Sequence, residues 1–208
     1  MNLCKRRNAK TKIASLRNLH YEFILSAEAN RISIHQIFTE EKMAKLIVLR
    51  GNSGSGKTTT AKNLQKKFGR NTMVISQDAI RREMLMATDG PDSKAIPLME
   101  NLLDYGYKHC EIVILEGIMY ADWYKPLFEL AKKLYQNQIY AYYFDIPFEE
   151  TMKRHQTRQK SAEFGETEMR EWWREKDYSD ILMETKIGQE LSMEQITDLI
   201  YSDIGEKK

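Results

Sequence analysis

From about residue 45 onward, short apolar runs alternate with longer amphipathic stretches. Leu46-Ile47-Val48-Leu49, Ile112-Val113-Ile114-Leu115 and Ile139-Tyr140-Ala141-Tyr142-Tyr143-Phe144 are continuous rather than alternating. Runs of this kind predict strands buried on both faces. Thr72-Met73-Val74-Ile75-Ser76 reads as a further short strand, and 185–187 as a short last one. Helical stretches are predicted over 59–68, 78–87, 93–107, 123–136, 147–158, 168–176 and 193–201. Pro97, Pro126 and Pro147 fall at the starts of three of them, where a missing N–H is tolerated. Thr88-Asp89-Gly90-Pro91-Asp92 is a turn cluster. Strands alternating with helices predict parallel pairing and right-handed crossovers. The expected fold class is therefore α/β: a three-layer α/β/α domain with about five parallel strands and a short helical lid. Ligands of such sheets sit beyond the carboxyl ends of the strands. The residues just after each strand are thus the candidates for chemistry.

The first of these segments is the most specific. Gly51-Asn52-Ser53-Gly54-Ser55-Gly56-Lys57-Thr58 completes the pattern G-x-x-x-x-G-K-[ST], with an apolar strand before it and a helix after it. A loop that turns several N–H groups toward one anion needs backbone conformations that glycine supplies. The following helix N-terminus adds partial positive charge. In this phosphate-binding loop, Lys57 can reach the β- and γ-phosphates and the Thr58 hydroxyl can ligate Mg²⁺. Residues 51–58, with Thr59 behind them, are the expected nucleoside triphosphate site.

Ser76-Gln77-Asp78-Ala79-Ile80-Arg81 follows the second strand. Asp78 can orient an acceptor hydroxyl and take its proton, and Arg81, one helical turn on, can hold a polar part of the acceptor. The plainer alternative makes Asp78 a helix N-cap and Arg81 a solvated side chain. Glu116 ends the third strand before Gly117. Two functional roles are open for it, Mg²⁺ ligation beside Thr58 and contact with the acceptor. Arg154 and Arg158 form an i, i+4 pair in a basic segment that can close over a transferring phosphoryl group. A basic helix end in solvent is the alternative. Trp172 and Trp173 suit packing of the lid better than contact with an acceptor, and Tyr120, Trp123 and Tyr124 suit core or acceptor pocket equally. His155 is expected to be structural or exposed.

These motifs resemble the small P-loop kinases of the adenylate-kinase-like group over about residues 43–204. Within that group the chain looks most like the zeta-toxin and chloramphenicol-phosphotransferase families and the bacterial AAA-type kinases labelled uridine kinase. The resemblance implies Asp78 as base, Leu115-Glu116-Gly117 as the acidic strand end, and Arg154 and Arg158 as lid arginines contacting ATP. Asp78-x-x-Arg81 also resembles the spacing in polynucleotide 5′-hydroxyl kinases. The implied activity is ATP- and Mg²⁺-dependent transfer to a hydroxyl of a small molecule such as a nucleoside, a nucleotide-sugar or an antibiotic. A polynucleotide or tRNA kinase and a nucleotide-dependent switch ATPase are the alternatives.

Charge and composition sharpen this only slightly. Residues 1–42 carry eight Lys/Arg and four Asp/Glu, whereas 43–208 carry 24 and 26. The net negative balance of the second segment argues against a broad nucleic-acid footprint. Cys4 and Cys110 are too far apart in sequence to suggest a metal motif or disulfide framework, which points to a reducing cytoplasm. No apolar run approaches a membrane span. A monomer or homodimer acting on a small molecule is the expectation. Residues 1–42 read as an N-terminal extension, either a disordered basic tail or sequence upstream of a true start at Met43. The codons for Glu40-Glu41-Lys42 would form a purine run resembling a ribosome-binding site. Residues 43–208 read as the kinase-like domain.

Overall fold

A computed structural model describes residues 43–156 and 165–206 of the 208-residue chain. The expected extension, 1–42, and Arg158 lie outside the described residues. Among these residues five strands form one parallel sheet: β1 (Lys45–Gly51), β2 (Thr72–Ser76), β3 (Ile112–Gly117), β4 (Ile139–Phe144) and β5 (Glu184–Ile187). Their spatial order is β2-β3-β1-β4-β5. Among the described residues six α-helices accompany them: α1 (Lys57–Phe68), α2 (Ala95–His109), α3 (Lys125–Tyr135), α4 (Phe148–Gln156), α5 (Glu166–Glu171) and α6 (Met193–Glu206).

The strand pleat sends alternate residues of β1 to opposite faces, and each face has its own core. Leu46 and Val48 join Met99 and Leu103 of α2 and Leu127, Phe128 and Tyr135 of α3. Ile47 and Leu49 join Ala61 and Leu64 of α1 and Ile196, Ile200 and Ile204 of α6. Burying one such side chain fully contributes roughly 1.5–3 kcal/mol, so the central strand is held from both sides. This is the three-layer architecture read from the sequence. Among the described residues, no helix is long and apolar enough to cross a membrane.

Two predicted helices differ from their expected form. The segment after β2 is a π-helical turn, Ala79–Met84, and not an α-helix to residue 87. Leu85 N–H reaches Ile80 O at 3.1 Å, and Met86 then adopts φ 50°, which stops the helix. The helix predicted over 168–176 is α5, which ends at Glu171. Beyond it, tertiary bonds claim the backbone. Tyr120 Oη donates to Trp172 O, and the Asn52 amide pairs with both backbone groups of Arg174.

Candidate active site

Parallel register sets the site. Leu49 of β1 lies beside Glu116 of β3, and Glu116 beside Ser76 of β2. The chain leaving β1, the carboxylate ending β3 and the segment after β2 therefore meet at one edge of the sheet. Between them is a cleft of about 400 Å³, lined by Ser53, Gly54, Gly56, Lys57, Thr58, Thr59, Gln77, Asp78, Arg82, Glu116, Gly117, Ile118, His155 and Trp172.

The loop 51–56 is shaped by close approach as well as by torsion. Gly51 has φ 139°, and a Cβ there would meet Phe144 O at 2.7 Å. Gly54 has φ 78°, and a Cβ would meet Thr151 O of α4 at 2.9 Å. Any side chain at either position forces the loop off β4 or α4. Lys57 is 6% exposed, and its ammonium donates to Asn52 O at 2.8 Å and Ser55 Oγ at 3.1 Å. These bonds hold the charge against the concave side of the loop. Asn52 has a different part from the rest of the loop. Its side chain clasps Arg174, with Nδ2 donating to Arg174 O at 2.7 Å and Arg174 N–H donating to Oδ1 at 3.1 Å. Only its backbone remains for a phosphate.

Thr58 and Glu116 are brought together. Thr58 Oγ1 donates to Glu116 Oε2 at 3.1 Å, and Ser76 Oγ donates to Glu116 Oε1 at 2.5 Å. Glu116 is 2% exposed yet borders the cleft. A hydroxyl and a carboxylate side by side next to a phosphate loop suit Mg²⁺, which takes one or two protein oxygens and completes its shell with phosphate and water. No group of three His, Cys, Asp or Glu side chains that could form an all-protein metal site occurs among the described residues.

Asp78 lines the cleft across from the loop. It occupies the N-cap position of the turn but makes no side-chain capping hydrogen bond there. Its Oδ1 lies 2.6 Å from Arg82 Nε and 3.1 Å from Arg81 Nη2. Arg82, rather than the expected Arg81, borders the cleft; Arg81 Nη1 turns back to Ala87 O at 3.4 Å. The wider π turn accounts for the exchange. With i→i+5 bonding, residue i+4 falls beside residue i while i+3 lags behind.

Arg154 donates from Nη1 to Ser55 O at 3.2 Å and from Nε to Glu150 at 2.9 Å, which fastens α4 to the loop. His155 is 4% exposed and borders the cleft, so it is not the surface residue that was one of the expectations. Trp172 borders the cleft too, with the Arg82 guanidinium 5.8 Å from its ring centre. Tyr120, Trp123 and Tyr124 do not line it. Tyr120 and Trp123 meet edge to face at 4.7 Å beneath the Arg174 guanidinium, and Tyr124 is fully buried. Gln77, Arg82 and Ile118 were missed in the sequence. Each sits within four residues of a candidate after β2 or β3, which was the available signal.

The family model AAA_33, described as an AAA domain, matches residues 46–178. A search of curated proteins finds no match. Among solved structures, a gluconokinase from Sinorhizobium meliloti 1021 is 14% identical with a TM-score of 0.57, covering 78% of this chain and 93% of that one. The Mycobacterium tuberculosis APS kinase in complex with AMPPNP and APS is 18% identical with a TM-score of 0.54, covering 79% and 99%. A tunicamycin resistance protein from Deinococcus radiodurans is 17% identical with a TM-score of 0.53, covering 78% and 96%. At these identities the likeness is one of fold.

Proposed function

The chain belongs to this AAA-domain family, and on that premise we propose that it is an ATP- and Mg²⁺-dependent kinase that phosphorylates a hydroxyl of a small molecule. One observation carries the reading: the Asp78 carboxylate borders the same cleft as Lys57, Thr58 and Glu116. A carboxylate in this position suits a phosphotransferase, because an alcohol attacks best when oriented and relieved of its proton. The names of the fold neighbours, two of them kinases, agree with it.

In this mechanism the N–H groups of residues 53–58 and the Lys57 ammonium hold the β- and γ-phosphate oxygens of ATP. Thr58 and Glu116 would hold Mg²⁺, which would supply neutralisation of phosphate charge. Asp78 positions the acceptor hydroxyl and takes its proton as the new O–P bond forms and the bond to the ADP oxygen breaks. Arg82 holds Asp78 in place through the 2.6 Å contact and presents positive charge to the acceptor side. Trp172 walls that side and excludes water.

The test uses the full chain with γ-labelled ATP, Mg²⁺ and pooled acceptors: nucleosides, UDP-sugars, hydroxylated antibiotics, sugars and 5′-hydroxyl oligonucleotides. Label entering a small-molecule pool is expected. Label released only as inorganic phosphate, whichever pool is present, contradicts the proposal.

A further inference from the structure

Gln77 stands between Ser76, which ends β2, and Asp78. It is 2% exposed, yet it borders the cleft. Its amide has one orientation compatible with its neighbours. Nε2 lies 2.9 Å from Asp89 Oδ2 and 2.9 Å from Tyr124 Oη. Tyr124 Oη donates its single proton to Asp89 Oδ1 at 2.7 Å, and Gly90 N–H fixes the same carboxylate at 3.0 Å. A carboxylate only accepts, and a phenol whose proton is committed also accepts, so both groups require N–H from Gln77. Burial, with the Asp89 hydrogen bond behind it, pushes the Tyr124 phenol far above its ordinary value. The donor chain therefore persists at any working pH.

With both N–H bonds committed inward, Oε1 is fixed as an acceptor at the other end of the amide. No described residue donates to it. It lies over Gly117, where a Cβ would fall 3.0 Å from Oε1 and 2.6 Å from Gln77 Cβ. Gly117 itself borders the cleft. Glycine at this position leaves room for the amide oxygen beside the cleft. Two successive residues thus offer oxygen acceptors to whatever occupies this side: the Gln77 carbonyl, rigidly held, and the Asp78 carboxylate.

We propose that Gln77 Oε1 is a second anchor for the phosphoryl acceptor, and that the acceptor is polyhydroxylic, with a second hydroxyl close to the one facing Asp78. Sugars, polyols and the ribose of a nucleoside have this chemistry; a simple alcohol lacks it. The proposal rests on the kinase reading above. A site built to hydrogen-bond a substrate hydroxyl rejects the analogue lacking it far more strongly than a merely apolar pocket does.

The experiment measures kcat/KM with labelled ATP and the full chain for ribose, glucose, uridine and myo-inositol. Each is paired with the analogue in which the hydroxyl next to the phosphorylated one is replaced by hydrogen. The native protein is expected to favour a parent over its deoxy analogue by about 100-fold or more. In Gln77→Met that ratio falls toward one through loss of the parent's rate, with ATP affinity unchanged. Tyr124→Phe keeps the amide but frees its orientation, and gives an intermediate ratio. Equal rates for parent and deoxy analogue in the native protein overturn the proposal, as does an equal loss for both in the variants. If Gln77→Met fails to fold, the native ratio and Tyr124→Phe decide the matter alone. Transfer from ATP to none of the four overturns the proposal; label released only as inorganic phosphate, whichever pooled acceptor is present, overturns the kinase reading as well.

Discussion

Arg50 is a fully buried cation at the end of β1, immediately before the phosphate loop. Its Nε donates to Met119 O at 2.9 Å, Nη1 to Glu184 Oε1 at 2.8 Å, and Nη2 to Asp177 O at 3.0 Å and Oδ2 at 2.9 Å. Its guanidinium lies 5.0 Å from the Phe128 ring centre and 5.7 Å from that of Tyr143. The Glu184 side chain is 3% exposed and that of Asp177 is 14% exposed, so neither carboxylate has much water to turn to. Arg50→Met keeps the length and apolar body of the side chain between the two rings. What it removes is the partner of two buried anions. Removing one member of a buried ion pair costs about 3–5 kcal/mol, a fifth or more of a typical domain's stability. For a domain of this size that lowers Tm by roughly 6–20 °C.

The assay is thermal and urea unfolding of the native chain and the variant at several pH values. The sign of the pH effect follows from linkage. Burial already raises the Asp177 carboxyl above its ordinary value, opposed by the Ala121 N–H and by Arg50. Without Arg50 the folded-state value rises further, and the folded state binds protons more readily than the unfolded state. The deficit of Arg50→Met is therefore largest at neutral pH and shrinks as the solution is acidified toward the Asp177 value. A loss below about 1 kcal/mol, or a deficit that grows on acidification, refutes the reasoning.

Other consequences are equally open to measurement. Thr58→Ala removes the hydroxyl beside Glu116 and is expected to raise the Mg²⁺ concentration for half-maximal activity by about 10-fold or more, with the fold unchanged by circular dichroism; an unaltered Mg²⁺ dependence contradicts the assignment. Tyr143 and Tyr178 are pushed up to about 12, chiefly by burial, with the Asp145 bond adding at Tyr178. Their neutral forms stabilise the fold fully below the ordinary phenol value near ~10, and that stability is lost as pH rises through about 12. Absorbance titration at alkaline pH is expected to show these phenols ionising late, together with the loss of folded structure.

How much of this was legible in the sequence depends on how local each signal was. Uninterrupted apolar runs marked β1, β3 and β4, and the glycine pattern marked the loop, because both are short-range requirements. The order β2-β3-β1-β4-β5 is set by long-range pairing, which no single run encodes. The apolar and polar positions after β2 fit an α-helix as well as the π turn, so the sequence predicts an ordinary helix there, and its spacing favours Arg81 over the Arg82 that borders the cleft. The helix predicted over 168–176 stops at Glu171, because Asn52 and Tyr120, more than 50 positions away, capture the backbone of Arg174 and Trp172. Arg50 inside a strand gave no hint of the buried pair with Glu184, 134 positions on. Gln77 was similarly silent, since its orientation comes from Asp89 and Tyr124.

The central claim is that Asp78 serves phosphoryl transfer rather than nucleotide binding. Asp78→Asn keeps the side-chain shape but cannot take a proton. With an acceptor that the native chain phosphorylates, the variant is expected to lose at least about 100-fold in kcat while its ATP Kd changes less than about threefold. Unchanged kcat, or an equal loss in ATP affinity, would contradict the account.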